Sequence, residues 1–387
     1  MDTGVPRRLF VVASLIIVQD LAFFAAILPL LPEYVREHGL SEAEAGVLTA
    51  AYPAGTLLAS LPSGFLAARI GPRRTVLIGL MLMGAASFTF GLAESAALLD
   101  GARFTQGVAG AMTWAGALTW VIEAEAGGRR GTVIGTLFGI GIAGALLGPP
   151  LGALAERVGT EWVFGSVLVL SLVLALVAAG LPEPGARTRE SFRDVVAALG
   201  RRPVLIASAL LAVPSLELGA TGVLIPLQLD ELGGGAVAIA AGFTIGAAVE
   251  ASLAPLAGRY TDTHSWSGPY ALGLAVSAAA LVGIGLAAGL TFAVVAVVGL
   301  SVGAGLAFTP ATKSVSDSVE TAGLHQGMTA GLTNLGWSGG EVAGALVAGA
   351  AANGFGLVPA FIGVAATLTL AAGVTWLGRR RASAFSA

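Results

Sequence analysis

The chain has 387 residues, 56% of them apolar and only 11% charged, with 56 glycines and a formal charge of −3. About a quarter of the residues in a soluble protein are charged, and no water-soluble domain of this size could bury so much apolar surface. The near-neutral balance excludes a basic nucleic-acid footprint, and the lack of cysteine excludes disulfides and thiolate metal sites. Three scattered histidines (His38, His264 and His325) leave little for a histidine metal centre. The composition calls for a bilayer as solvent.

A helix needs about 20 mainly apolar residues to cross the hydrocarbon. Twelve stretches qualify, near 9–31, 45–67, 74–94, 97–122, 131–155, 161–182, 204–226, 238–257, 269–290, 291–313, 326–352 and 356–378. The first reads as a retained span, not a cleaved signal peptide: it is too long, and Gln19 and Asp20 lie within it with no small-residue cleavage site behind them. The longest polar segment, 183–203, falls between spans six and seven. It divides the chain into a six-helix bundle at 1–182, a cytoplasmic linker, and a second six-helix bundle at 204–387. Sixteen arginines, among them Arg7, Arg8, Arg69, Arg73, Arg74 and Arg379, fall on segments that share the side of the N-terminus. Only Arg36 and Arg157 fall on the other side, which predicts cytoplasmic N- and C-termini.

In chain order, span one carries Asp20 about ten residues in, near the midplane, where an ionisable group is costly and marks a pathway by default. A carboxyl held there can bind and release a proton. Phe23, Phe24 and Ile27 share its face at helical spacing, an arrangement suited to a lipophilic cation. The alternative is a buried acid satisfied by Gln19 or a neighbouring helix. After span two comes Gly64-Phe65-Leu66-Ala67-Ala68-Arg69-Ile70-Gly71-Pro72-Arg73-Arg74, with glycines for a tight turn and arginines for the cytoplasmic interface.

Span four places Arg103 in the hydrocarbon, with Gln106, Gly110 and Trp114 on its face. The alternative for Arg103 is a local pair with Asp100 at the outer interface. Span five sets Gly144, Gly148 and Gly152 on one ridge and adds Pro149 and Pro150. That pattern reads as a packing seam and hinge, or as the ordinary close packing of a glycine-rich bundle. In the second half, Glu217 and Glu250 are candidates for a second proton site, a substrate counter-ion or a lone interhelical hydrogen bond. Glu341 shares a polar stripe of span eleven with Asn334 and Ser338.

Fixed offsets point to an internal duplication. Asp20 precedes Pro29 by nine residues and Glu217 precedes Pro226 by nine, while Gly131, Gly135, Gly144 and Gly148 recur 196 residues later as Gly327, Gly331, Gly340 and Gly344. Two bundles facing each other across a central cavity are the predicted arrangement.

The loop after span two, the Arg103-Phe104-Thr105-Gln106-Gly107 run and the Gly144-to-Gly152 pattern together resemble the major facilitator superfamily, specifically its twelve-helix drug:proton antiporter branch. The Asp20-to-Pro29 spacing, followed by Pro32 and Tyr34, is most similar to the multidrug and vesicular-amine members. The resemblance covers essentially the whole chain. It implies an all-α membrane protein with the major facilitator fold, twelve transmembrane helices in two pseudo-symmetric six-helix bundles.

The activity it implies is proton-coupled antiport that exports small hydrophobic, cationic molecules across the plasma membrane. Small-molecule substrate, protons and the lipid bilayer are the expected partners of a monomer that needs no nucleic acid, metal or cofactor. On this reading Asp20, Arg103, Glu217, Glu250 and Glu341 serve proton coupling and substrate binding, with Arg103 near Asp20 and setting its proton affinity. Phe23, Phe24, Gln106, Trp114, Asn334 and Ser338 line the cavity, and Gly64, Arg69, Gly71, Arg73, Arg74 and Asp262 form cytoplasmic gating loops. One departure stands out. The family has an aspartate where this chain has Ala68, whereas the second-half copy, Gly258-Arg259-Tyr260-Thr261-Asp262, keeps an acid that can meet Arg129 or Arg130.

Within the same fold, a uniporter or symporter of a sugar, nucleoside or organic acid is the alternative. An intramembrane enzyme is disfavoured by the lack of a clustered His/Asp metal set, a Ser/His pair or a nucleotide loop, and a channel by the lack of a ring of equivalent pore residues.

Overall fold

The structure is a computed structural model that describes residues 5–125, 130–183, 200–321 and 327–385. Among these residues there are helices and no strands. The first span is broken: α1 (Arg7–Ala25) is followed by a 3-10 turn (Leu28–Leu30) and a short α2 (Leu31–His38). The remaining spans are α3 (Glu42–Ile70), α4 (Pro72–Gly91), α5 (Ala96–Ala124), α6 (Arg130–Val158) and α7 (Thr160–Ala179), then α8 (Arg202–Glu231), α9 (Ala236–Thr263), α10 (Ser267–Gly285), α11 (Leu290–Thr321), α12 (Gly327–Phe355) and α13 (Leu357–Phe385). Among the described residues, nine helical stretches are long and apolar enough to cross a membrane; α3, α5 and α12, diluted by glycine and hydroxyl side chains, are not among them.

The break falls at the prolines of the span expected over 9–31, and its cause is local. Pro29 has no N–H for the carbonyl of Ala25, and Pro32 has none for that of Leu28. The chain tightens instead, with Leu30 N donating to the Ile27 carbonyl at 2.9 Å. Ile27 therefore does not continue the helical face of Asp20. By contrast α6 runs unbroken through Pro149 and Pro150, so the expected hinge there takes the form of a continuous helix.

The chain divides into two compact units, one of residues 1–30, 51–200 and 330–335, the other of 31–50, 201–329 and 336–387. They differ from the expected 1–182 and 204–387 division at residues 31–50 and 330–335. Most of the expected linker, residues 184–199, lies outside the described residues.

In the first unit α4 packs on α5 and α7, and α1 on α6. Leu9, Ile16, Leu80, Trp120, Leu137 and Leu174 fill one end of this bundle. The α1–α6 seam is backbone against backbone: a Cβ at Gly144 would lie 2.8 Å from Val18 Cα, and one at Gly148 2.6 Å from the Ala22 carbonyl. Gly152 meets the Ala26 carbonyl in the same way. In the second unit α10 packs on α11 and α13, repeating the pattern of α4. There Gly340 and Gly344 of α12 seat against the Ala212 and Leu216 carbonyls of α8. Lipid gives helices no hydrophobic reason to associate, so close backbone approach of this kind supplies the attraction. Leu172, Val173, Leu176 and Val177 of α7 stay exposed, the face a bilayer would cover.

Candidate functional site

Inside the first unit, three helices converge on the one acid of α1. Asp20 is buried at 3% exposure. Tyr52 of α3 donates its phenol O–H to Asp20 Oδ1 at 2.7 Å, and Trp114 of α5 donates its indole N–H to Oδ2 at 2.9 Å. Gly110 makes room for both: a Cβ there would lie 2.5 Å from the Tyr52 hydroxyl and 2.8 Å from Asp20 Oδ1.

The break after Ala25 creates the seat of Arg103. A helix end leaves its last carbonyls without helical donors. Arg103, only 1% exposed, donates to the carbonyls of Phe23 and Phe24 at 3.3 and 3.2 Å and to Gln106 Oε1 at 3.1 Å. Its guanidinium carbon lies 5.0 Å from the Tyr52 ring centroid and 6.0 Å from that of Phe24, a desolvated cation over two aromatic faces. Gln106 passes the network on, donating to Ser87 Oγ of α4 at 3.0 Å.

Asp20, Arg103, Phe24, Gln106 and Trp114 are thus brought together. Phe23 contributes its carbonyl, while its ring turns into the apolar packing, edge-on to Phe164 at 5.6 Å. Gln19 is not a partner of Asp20; it donates to Ser171 Oγ of α7 at 2.7 Å. Trp114 also packs against Phe138 of α6 at 5.2 Å. Tyr52 and Ser87 were not among the expected site residues. A tyrosine beside Pro53 in a span of small residues was the available signal for the first; no pattern marked the serine.

The second unit is built differently. Glu217 of α8 is buried at 2% exposure, beside the fully buried Ser277 of α10. Half-buried Glu250 of α9 and buried Tyr270 of α10 stand within electrostatic reach of it. The Tyr270 hydroxyl donates elsewhere, to the Leu210 carbonyl at 2.7 Å. On α12, Glu341 and Ser338 are buried and Asn334 is half-buried; Glu341 Cα packs against Gly219 of α8. At one end of this unit Arg36 of α2 pairs with Asp230 of α8 at 2.7 Å.

In the expected gating loop, Gly71 adopts φ 97°, a left-handed conformation that glycine accepts freely, and turns α3 into α4. Arg73 caps the end of α7, donating to the Ala179 and Leu181 carbonyls at 3.3 and 3.0 Å and pairing with Glu183 at 3.6 Å. Gly64, Arg69 and Arg74 are exposed. The side chain of Asp262, residue Arg129 and the side chain of Arg130 lie outside the described residues.

Apolar helices around a buried acid, a buried arginine and their polar neighbours define a multi-pass helical membrane protein. The family model of the Major Facilitator Superfamily matches residues 13–328, and the chain belongs to that family. It is 23% identical over 172 residues to the Quinolone resistance protein NorA of Staphylococcus aureus, a match spanning 44% of each chain. It is also 32% identical over 132 residues to an uncharacterized MFS-type transporter of Mycobacterium tuberculosis, 33% of this chain and 23% of that one. The chain thus covers less than half the length of these curated relatives.

Solved structures match throughout. A bacterial homolog to the human lysosomal transporter Spinster superposes with TM-score 0.80 at 16% identity over 97% of both chains. A D-xylose-proton symporter does so with TM-score 0.72 at 15% identity over 95% of this chain and 96% of that one. At such identities they establish the major facilitator fold.

Proposed function

We propose that this chain is a proton-coupled antiporter of the plasma membrane, with both termini cytoplasmic, that exports small hydrophobic cations by alternating access. The observation that carries the reading is the Asp20 carboxyl, buried in span one and held by the neutral donors Tyr52 and Trp114 at 2.7 and 2.9 Å. A buried carboxylate is costly until something neutralises it. A proton can do so, and so can a cation, but each excludes the other, and that exclusion is the logic of exchange. The aromatic pair Trp114 and Phe138 beside it suits a lipophilic cation. Likeness to a quinolone resistance protein over 172 residues points the same way. No cofactor is required, since one charge moved through 100 mV yields about 2.3 kcal/mol, roughly fifty-fold accumulation.

The test is uptake of tetraphenylphosphonium or ethidium into inverted vesicles under an imposed pH gradient. Asp20→Asn is expected to abolish gradient-driven uptake and Asp20→Glu to retain part of it. Normal uptake by the Asn variant would move the coupling site to Glu217, Glu250 or Glu341. Substrate and protons moving in the same direction would make the protein a symporter.

A further inference from the structure

Tyr52 touches both charged groups of the first-unit site through different parts of one side chain. Its hydroxyl is bonded to Asp20 Oδ1 at 2.7 Å, and its ring face lies 5.0 Å beneath the Arg103 guanidinium. The backbone of Tyr52 is fixed as well. Gly107 of α5 abuts its carbonyl, and the Thr56 hydroxyl bridges the carbonyls of Tyr52 and Gly107 at 3.2 Å each. The next residue is Pro53, which lies inside α3 and has no N–H to offer the Thr49 carbonyl, so the helix is weakened one step from the phenol.

We propose that Tyr52 is the positioning residue of the coupling acid: its phenol sets the proton affinity of Asp20 while its ring holds Arg103 in place. The inference rests on reading Asp20 as the coupling acid. A phenol donating to a carboxylate favours the charged form, and the bond weakens once the acid is protonated and its charge is gone. The ring face meanwhile keeps Arg103 aligned on the Phe23 and Phe24 carbonyls in either state. Among the described residues, the ionisable groups acting on Asp20 are Tyr52 of α3 and Arg103 of α5; Trp114 adds a neutral donor.

Tyr52→Phe removes the hydroxyl and keeps the ring, so packing and the contact with Arg103 survive. The experiment is infrared difference spectroscopy of purified protein across a pH series, following the protonated-carboxyl band that Asp20→Asn deletes. This readout needs no substrate. In Tyr52→Phe the midpoint of that band is expected to move up by about one pH unit, a tenfold change in proton affinity, with thermal stability close to that of the parent. The pH profile of tetraphenylphosphonium uptake should move with it. Tyr52→Leu, which also loses the ring, should shift the band and disturb Arg103, lowering thermal stability. A midpoint in Tyr52→Phe within 0.2 units of the parent, to within roughly the precision of such a titration, would overturn the proposal. If the parent fails to transport tetraphenylphosphonium while the band still shifts in Tyr52→Phe, the antiport reading fails and the role of Tyr52 stands.

Discussion

Spans one and seven carry the same spacing, an acid nine residues before a proline, yet only span one breaks. Helix α8 runs on through Pro214 and Pro226 to Glu231, whereas α1 stops at Ala25. What sets span one apart is a second proline three residues after the first, since the adjacent pair Pro149 and Pro150 leaves α6 continuous. Leu28-Pro29-Leu30-Leu31-Pro32 loses two helical bonds within one turn, and Ile225-Pro226-Leu227 loses one. The chemistry of each acid follows. Broken α1 exposes the Phe23 and Phe24 carbonyls, which hold a cation close to Asp20. Among the described residues, continuous α8 offers no such seat, and the ionisable neighbours of Glu217 are another acid, Glu250, and Tyr270. The duplication preserves the glycine seams in both units but not the charges built upon them.

The comparison can be broken from the second half. Leu229 occupies the position in α8 that Pro32 occupies after α1, and it is fully buried. Leu229→Pro would give α8 the double-proline pattern at a cost of about 3 kcal/mol or more. A large fall in melting temperature is expected, read by intrinsic tryptophan fluorescence of the detergent-purified protein.

Next in size is Arg103→Lys. An ammonium cannot span two carbonyls and an amide oxygen as a planar fork does. Loss of charge-assisted bonds should cost about 1.5–3 kcal/mol and shift the pH optimum of tetraphenylphosphonium uptake. An unchanged optimum would make Arg103 a structural group only.

The double variant Pro29→Ala, Pro32→Ala approaches the comparison from the other side. Restored N–H groups would let α1 continue, and the helical amides of Ile27 and Leu28 would then claim the Phe23 and Phe24 carbonyls. Stability should fall by an amount comparable with that of Arg103→Lys, about 1.5–3 kcal/mol, because the restored amides take the carbonyls from a buried guanidinium. Slower amide exchange at residues 27–28 together with reduced transport would establish that the break exists for Arg103.

The smallest effect belongs to the start of α3. The Ser41 N–H and hydroxyl both donate to Glu44 Oε2 at 2.8 Å, and Glu44 N–H returns a bond to Ser41 Oγ at 3.3 Å, a reciprocal cap. The backbone bond, then the hydroxyl bond, hold the Glu44 carboxyl below its ordinary range. The cap therefore stabilises the fold fully above the ordinary glutamate value and is lost as pH falls through the lowered one. Melting temperatures of the parent and Glu44→Gln should differ slightly at neutral pH and converge in acid.

The spans were legible because bilayer thickness fixes a length of apolar helix, and that length can be counted. The glycine seams were legible because close backbone approach demands the same residue at the same step. Asp20 and Arg103 were legible as candidates since charge in hydrocarbon is rare. Tyr52 was not, because its role depends on which face of α3 meets α5, and helical periodicity carries little where a helix is apolar nearly all round. Pro29 and Pro32 marked an interruption of span one, but not its consequence: apolar side chains continue through Ala26–Leu30, so the carbonyls that the turn frees for Arg103 leave no trace in hydropathy. The ring of Phe23 likewise shares a helical face with Asp20 on paper, but Phe164, itself packed on Phe90, draws it into the apolar packing.

Gly110 contributes no chemical group to the site, and yet a single methyl there would press on the phenol and the carboxyl at once, at 2.5 and 2.8 Å. Both groups are side-chain ends that can give way, whereas a methyl at Gly107 would meet the Tyr52 carbonyl of the backbone itself. A change from glycine to alanine at 110, which composition would score as trivial, would therefore leave the helices seated and fall on the bond between the phenol and the acid.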